Sequence, residues 1–262
     1  MKKLTNLAGV LCLIGNCAVY AAPATGIVGN WHIDEENRQK LLDSSGYAKN
    51  ARLGSTTNVD IDDPTWITRR FDTSALHFDG IDDFVVVPYA KNLEPATVSV
   101  EAWVRSSSPD TERLQYIVAK SGFSCVSAAY ALYTGNSGGL TFYVADQITT
   151  AKAVESPDAG IQIWDGAWHH VVGTYDKTAV RLFVDGVEIG TGTPANFSIG
   201  YKSHPSKDLY IGDYDAGKVC IENDPNIEGT YGNSNFAGDI DEVRIWNRAL
   251  TGAEVSVRAL GD

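Results

Sequence analysis

Two acidic stretches hold the residues of this chain whose types could do chemistry. FDGIDDF places Asp79, Asp82 and Asp83 around Gly80. FAGDIDEVRIWNRALTGAE, Phe236 to Glu254, opens on Asp239, Asp241 and Glu242 and continues into apolar residues. Strand alternation in the second stretch puts Asp239, Asp241, Val243 and Ile245 on one face and Ile240, Glu242, Arg244 and Trp246 on the other. Asp241 thus stands in line with core residues. A carboxylate withdrawn from water there is costly unless it is paired, hydrogen-bonded to amides or bound to a cation. A third acidic stretch, residues 213–235, carries Asp213, Asp215, Glu222, Asp224 and Glu228 with Tyr214 and Tyr231. Asp60, Asp62 and Asp63, just before Pro64, read as a solvated loop in preference to a cation site.

The elements that must position these acids are strands. TVSVEAWVR sets Val98, Val100, Ala102 and Val104 on one face and Ser99, Glu101, Trp103 and Arg105 on the other. Further strands are expected at Ile27 to Ile33, Ala51 to Leu53, Tyr116 to Lys120, Tyr130 to Tyr133, Leu140 to Val144, Trp168 to Tyr175, Ala179 to Val184, Val187 to Gly190 and Leu209 to Gly212. Ala75 to Asp79 and Phe84 to Val87 read as a hairpin with a long acidic turn, and Asp185-Gly186 as a tight one. Thr251 with Glu254 has capping-box spacing, so a short helix should run toward Val257. A dozen or so strands and almost no helix mean an all-β, two-sheet antiparallel sandwich.

Lys2 and Lys3, the apolar run Leu7 to Val19 and the small residues Ala21 and Ala22 read as a secretory signal peptide cleaved after Ala21. A lipid anchor on Cys17 is disfavoured, because Asn16 precedes it where a small residue is wanted. Residues 22–262 then form one domain, secreted, periplasmic or at the cell surface. Loss of Lys2 and Lys3 takes the formal charge from −12 to −14 and leaves Cys125 and Cys220. Two cysteines in an exported chain suggest one disulfide, the alternative being two buried free thiols. The acidic balance argues against nucleic acid or an anionic membrane as partner and is compatible with cations or neutral sugars. No later run is long enough to span a membrane.

ALHFDGIDDFVVVP, TVSVEAWVR, WHHVVGTYD, VRLFVDGVEIG, LYIGDYD and FAGDIDEVRIWNRALTGAEV, in this order, resemble the LamG-like jelly-roll domain of the concanavalin A-like lectin and glucanase superfamily, and more distantly the pentraxins. The resemblance spans about Gly26 to Val257 and implies a jelly roll of two curved sheets. It also implies a structural calcium between the last strand and the first acidic turn, held by Asp79, the Gly80 carbonyl, Asp82, Asp239 and Asp241. Calcium takes six to eight such oxygens, whereas the alternative is that these acids cap turn amides. By likeness to pentraxins, IGDYD suggests a ligand loop with Asp213 and Asp215. The facing sequence GFSCVSAAY lacks the acidic pair that pentraxins use there.

A Cys125–Cys220 bond would tie the 121–128 loop to the acidic loop and stabilise by roughly 3–5 kcal/mol in the chain-entropy description. Sugar-stacking candidates are the loop aromatics Trp66, Trp164, Tyr214 and Tyr231, whereas Trp31, Trp103, Trp168 and Trp246 lie in strands and suit packing. The paired-carboxylate strand motif of the glucanases does not occur, and DIDE lacks its leading Glu. Gly135 to Gly139 matches a nucleophile elbow but lies between strands, and His169 and His170 face opposite sides of one strand. No catalytic residue is assigned. The expectation is a non-enzymatic binding or adhesion module with calcium and a glycan or cell-surface protein as partner. The alternatives are a polysaccharide-degrading enzyme and a structural surface protein.

Overall fold

The computed structural model describes residues 25–36, 38–70, 73–107, 113–121, 128–146, 152–201, 207–214 and 234–261. Among the described residues there are seventeen strands: β1 (Ile27–Trp31), β2 (Lys40–Leu41), β3 (Ala51–Leu53), β4 (Thr65–Arg70), β5 (Thr73–Asp79), β6 (Val85–Val87), β7 (Val98–Arg105), β8 (Tyr116–Lys120), β9 (Tyr130–Thr134), β10 (Leu140–Asp146), β11 (Lys152–Glu155), β12 (His169–Tyr175), β13 (Ala179–Val184), β14 (Val187–Glu188), β15 (Thr193–Pro194), β16 (Leu209–Ile211) and β17 (Ala237–Trp246). An α-helix, α1 (Gly252–Arg258), follows β17. A nine-stranded sheet runs β14-β13-β12-β7-β17-β5-β4, with β1 on β17 and β15 on β13, and an eight-stranded sheet runs β11-β10-β9-β8-β16-β6-β3-β2. All strand pairs are antiparallel, giving the expected jelly-roll sandwich.

The core between the sheets is filled by the apolar face that alternation assigns. Val98, Val100, Ala102 and Val104 of β7 join Phe78 of β5, Val171 and Tyr175 of β12, and Phe142 and Val144 of β10. The sheets approach so closely that a Cβ on Gly173 would come within 2.6 Å of Phe142 Cβ, which leaves only glycine there.

Two expectations are corrected. The segments around the first acidic turn do not form a hairpin: β5 pairs with β4 and β17 in one sheet, while β6 pairs with β3 and β16 in the other. Asp79 to Asp83 therefore arches across the edge of the sandwich. Turn chemistry alone does not distinguish an arch from a hairpin, because the strand partners lie far away in sequence. The simple alternation of β17 also fails. Its register shifts between Asp241 and Arg244, and Glu242 adopts φ 51°, a β-bulge that exchanges the faces. Ile240 before the bulge and Val243 and Ile245 after it all enter the main core. Asp239, Asp241, Arg244 and Trp246 are left on the outer face.

The capping box forms as its spacing predicts. Glu254 N donates to Thr251 Oγ1 at 3.3 Å and Thr251 N to Glu254 Oε2 at 2.8 Å. The helix seats Val255 with Phe183, Trp246 and Leu250 in a second apolar cluster.

Candidate functional site

Register builds the outer face of the nine-stranded sheet row by row. Arg244 lies opposite Glu101, Asp241 opposite Trp103, and Asp239 opposite both Arg105 on β7 and His77 on β5. In the first row the Glu101 side chain is fully buried and accepts from His170 Nε2 at 3.0 Å, Arg244 Nη1 at 3.1 Å, Trp246 Nε1 at 3.0 Å and Arg258 Nε at 2.8 Å. Burial alone would raise its pKa. The bond from His170 and the charges of Arg244 and Arg258 outweigh that and hold the carboxyl at about 2. This row ties α1 to the sheet, since Arg258 lies in the last turn of the helix.

In the second row Asp241, 1% exposed, is paired with Arg69 of β4. Burial pushes its carboxyl up to about 7 against the pull of that guanidinium. Arg69 stacks over the Trp103 ring at 4.6 Å and the Trp168 ring at 4.9 Å, and Arg105 covers Trp168 at 5.0 Å. In the third row Asp239 is held from both sides: His77 Nδ1 lies 2.7 Å from Oδ1, and Arg105 Nε donates to Oδ2 at 2.6 Å.

This third row forms the floor of a cleft of about 380 Å³ lined by His77, Asp79, Arg105, Ser106, Ser107 and Asp239, with Gly166 and Gly238 at its edge. Its size is that of a small-ligand site. A guanidinium, an imidazole, two carboxylates and two hydroxyls line one space, and the Trp168 indole packs against Arg105. Gly238 lies in the wall because a Cβ there would strike the Arg105 carbonyl and the Phe236 ring.

The acidic arch borders the same cleft through Asp79. Ligand atoms of Asp79, Asp82 and Asp83 lie within 4.8 Å of one another. Asp83 was not among the expected calcium ligands. It is 4% exposed and its Oδ2 accepts from Asp79 N at 2.7 Å. Burial raises its pKa to about 6, and the charges of Asp79 and Asp82 add to the effect. Of the five expected calcium ligands, the arch brings Asp79, Gly80 and Asp82 together. Asp239 reaches the same cleft but is engaged by His77 and Arg105, and Asp241 lies one row away, paired with Arg69. The three arch carboxylates fit a divalent cation by donor type and spacing.

The loop candidates fare differently. Asp213 and Tyr214 are buried, Tyr214 against Tyr116 at 5.1 Å between ring centroids. Asp215, Tyr231, Cys125, Cys220 and the expected signal peptide lie outside the described residues. Two sugar-stacking candidates are corrected. Trp164 is buried and donates to the Gly138 carbonyl at 2.8 Å, and Tyr214 is 2% exposed. Trp66 lies in β4, half-buried against the main core. Trp168, expected to be a packing residue, is half-buried and packs against Arg69 and Arg105.

Among the described residues no helix is long and apolar enough to cross a membrane. Human Pentraxin-4 is 31% identical over 100 residues, which is 37% of this chain and 19% of that protein, so the match spans about a fifth of the relative's length. Domain 4 of AbnA, a GH43 extracellular arabinanase from Geobacillus stearothermophilus solved with arabinotriose, superposes with TM-score 0.60 at 17% identity, over 89% of this chain and 98% of that one. A botulinum neurotoxin type C structure superposes with TM-score 0.59 at 15% identity, over 90% of this chain and 51% of the toxin chain. These two likenesses show the fold. The laminin G-type family model, Laminin_G_3, matches residues 79–256, and the chain belongs to this family of the concanavalin A-like lectin/glucanases superfamily.

Proposed function

We propose that this chain is a secreted, non-enzymatic binding module that recognises a carbohydrate in the cleft between β5, β7 and β17. The observation that carries the reading is the ring of His77, Asp79, Arg105, Ser106, Ser107 and Asp239 around one space of about 380 Å³. Sugar hydroxyls donate and accept at once, and a site mixing carboxylates, hydroxyls, guanidinium and imidazole meets both halves of that pattern. The pairing of Asp239 with His77 and Arg105 fixes all three side chains before a ligand arrives, which lowers the entropic cost of binding. Support in kind comes from the arabinanase domain solved with arabinotriose and from botulinum neurotoxin type C, which interacts with two ganglioside molecules.

The non-enzymatic part of the reading rests on the state of the carboxylates. Both Asp239 oxygens are engaged, one by His77 and one by Arg105, and Asp79 Oδ1 accepts from Ile81 N at 2.7 Å. Asp239 therefore does not stand free as a nucleophile or general acid. Calcium belongs to the proposal as a structural ligand of Asp79, Asp82 and Asp83, stiffening the rim of the cleft. The test is retention of the mature protein on a glycan array, with and without calcium, against Arg105→Ala and His77→Ala. Glycan capture lost in both variants supports the cleft. Capture that both variants retain in full places the ligand elsewhere, and turnover of a bound glycan removes the non-enzymatic reading.

A further inference from the structure

A second group of oxygens lies where the 54–63 loop meets the residue after the arch: Gly54 N donates to the Phe84 carbonyl at 2.8 Å and Phe84 N to the Asp62 carbonyl at 3.4 Å. Asp63 is 7% exposed. Its Oδ2 is satisfied twice, by Gln39 Nε2 at 2.9 Å and Asp60 N at 2.6 Å, whereas its Oδ1 is buried with no hydrogen-bond partner. Asp62 repeats the pattern, for Ser55 N donates to Oδ2 at 3.1 Å while Oδ1 is buried and bare. The two bare oxygens converge. The point where a Cβ on Gly54 would stand has Asp63 Oδ1, Asp62 Oδ1 and the Asp62 carbonyl oxygen all within 3.0 Å. Gln39 Oε1, on the amide that holds Asp63, is also buried without a partner. The neighbouring Arg52 gives its Nε–H to the Gly54 carbonyl at 3.2 Å, so that bond supplies no donor to either carboxylate.

Two carboxylate oxygens without donors, turned toward each other out of water, are unfavourable by desolvation and by repulsion. A bound cation removes both costs. The donors are all hard oxygens, which suits calcium. Gly54 has φ +54°, and a Cβ there would meet Asp63 Oδ1 at 2.3 Å and Asp62 Oδ1 at 2.7 Å, so only glycine lets the backbone pass this close to the two carboxylates. We infer that Asp62 and Asp63, with the Asp62 carbonyl, form a calcium site beside Gly54, independent of the acidic arch at Asp79 to Asp83.

Calorimetric titration of the mature protein with calcium, after chelator treatment, tests the assignment on wild type, Asp63→Asn, Asp62→Asn and Asp82→Asn. Asn keeps an oxygen to accept the existing hydrogen bonds at 62 and 63 but removes the charge. The site predicts calcium binding at least tenfold weaker in Asp63→Asn and in Asp62→Asn, with this binding event preserved in Asp82→Asn. Asp62 is the more exposed of the pair, so Asp62→Asn decides the matter if Asp63→Asn fails to fold. Absence of calcium binding in wild type overturns the inference. So does a titration abolished by Asp82→Asn and unchanged in Asp62→Asn, which would assign calcium to the arch alone.

Discussion

Replacing Glu101 by Gln removes one charge from a fully buried position and leaves the shape almost unchanged. The carboxylate holds two guanidinium groups, an imidazole and an indole N–H. Its pKa falls from 4.5 to about 2 on folding, a difference of about 2.5 units, or about 3 kcal/mol at 1.36 kcal/mol per unit. That agrees with the roughly 3–5 kcal/mol lost when one partner of a buried ion pair is removed. For a domain of this size the midpoint should fall by about 6–12 °C. The pH dependence adds a second constraint. A depressed carboxyl contributes stability that is present above 4.5 and lost as pH falls toward 2, so Glu101→Gln should trail wild type fully at pH 7 and progressively less below pH 4.5. Denaturant unfolding from pH 7 to pH 3 measures both. A deficit under about 1 kcal/mol at pH 7, or one that does not shrink in acid, would refute the reasoning about this network.

Gly173→Ala should destabilise by about 1–3 kcal/mol through overpacking against Phe142, read by denaturant unfolding; an unchanged midpoint would mean the sheets separate without cost. Asp83 behaves oppositely to Glu101. Its folded pKa is raised from 3.8 to about 6, so stability falls as pH rises through that window. In chelator, Asp83→Asn should be more stable than wild type at pH 7 and indistinguishable from it near pH 4, and equal midpoints at both pH values would show that the arch carries no such cost.

Strand identity was legible wherever side chains alternate without interruption, as in β7, whose four inner and four outer residues lie where the pattern puts them. The bulge at Glu242 was not legible, because a glutamate at positive φ gives no compositional signal. The anomaly of Asp241 was visible in the sequence, but its partner Arg69 is 172 residues away and could not be named. The acids of the arch were found, while their assignment to a hairpin failed because sheet membership is decided by distant strands. The cleft needed three separate strand ends in register. The bare oxygens of Asp62 and Asp63 needed the approach of Gly54. Neither arrangement leaves a local trace in the sequence.

The central claim is that the row His77, Asp239 and Arg105 forms the floor of a glycan-binding cleft. Its most direct test is glycan-array binding of wild type beside Arg105→Ala, with unfolding midpoints measured on the same samples. The account predicts that wild type captures a defined set of glycans and that Arg105→Ala loses them with its fold intact. Undiminished capture by a folded Arg105→Ala would contradict it.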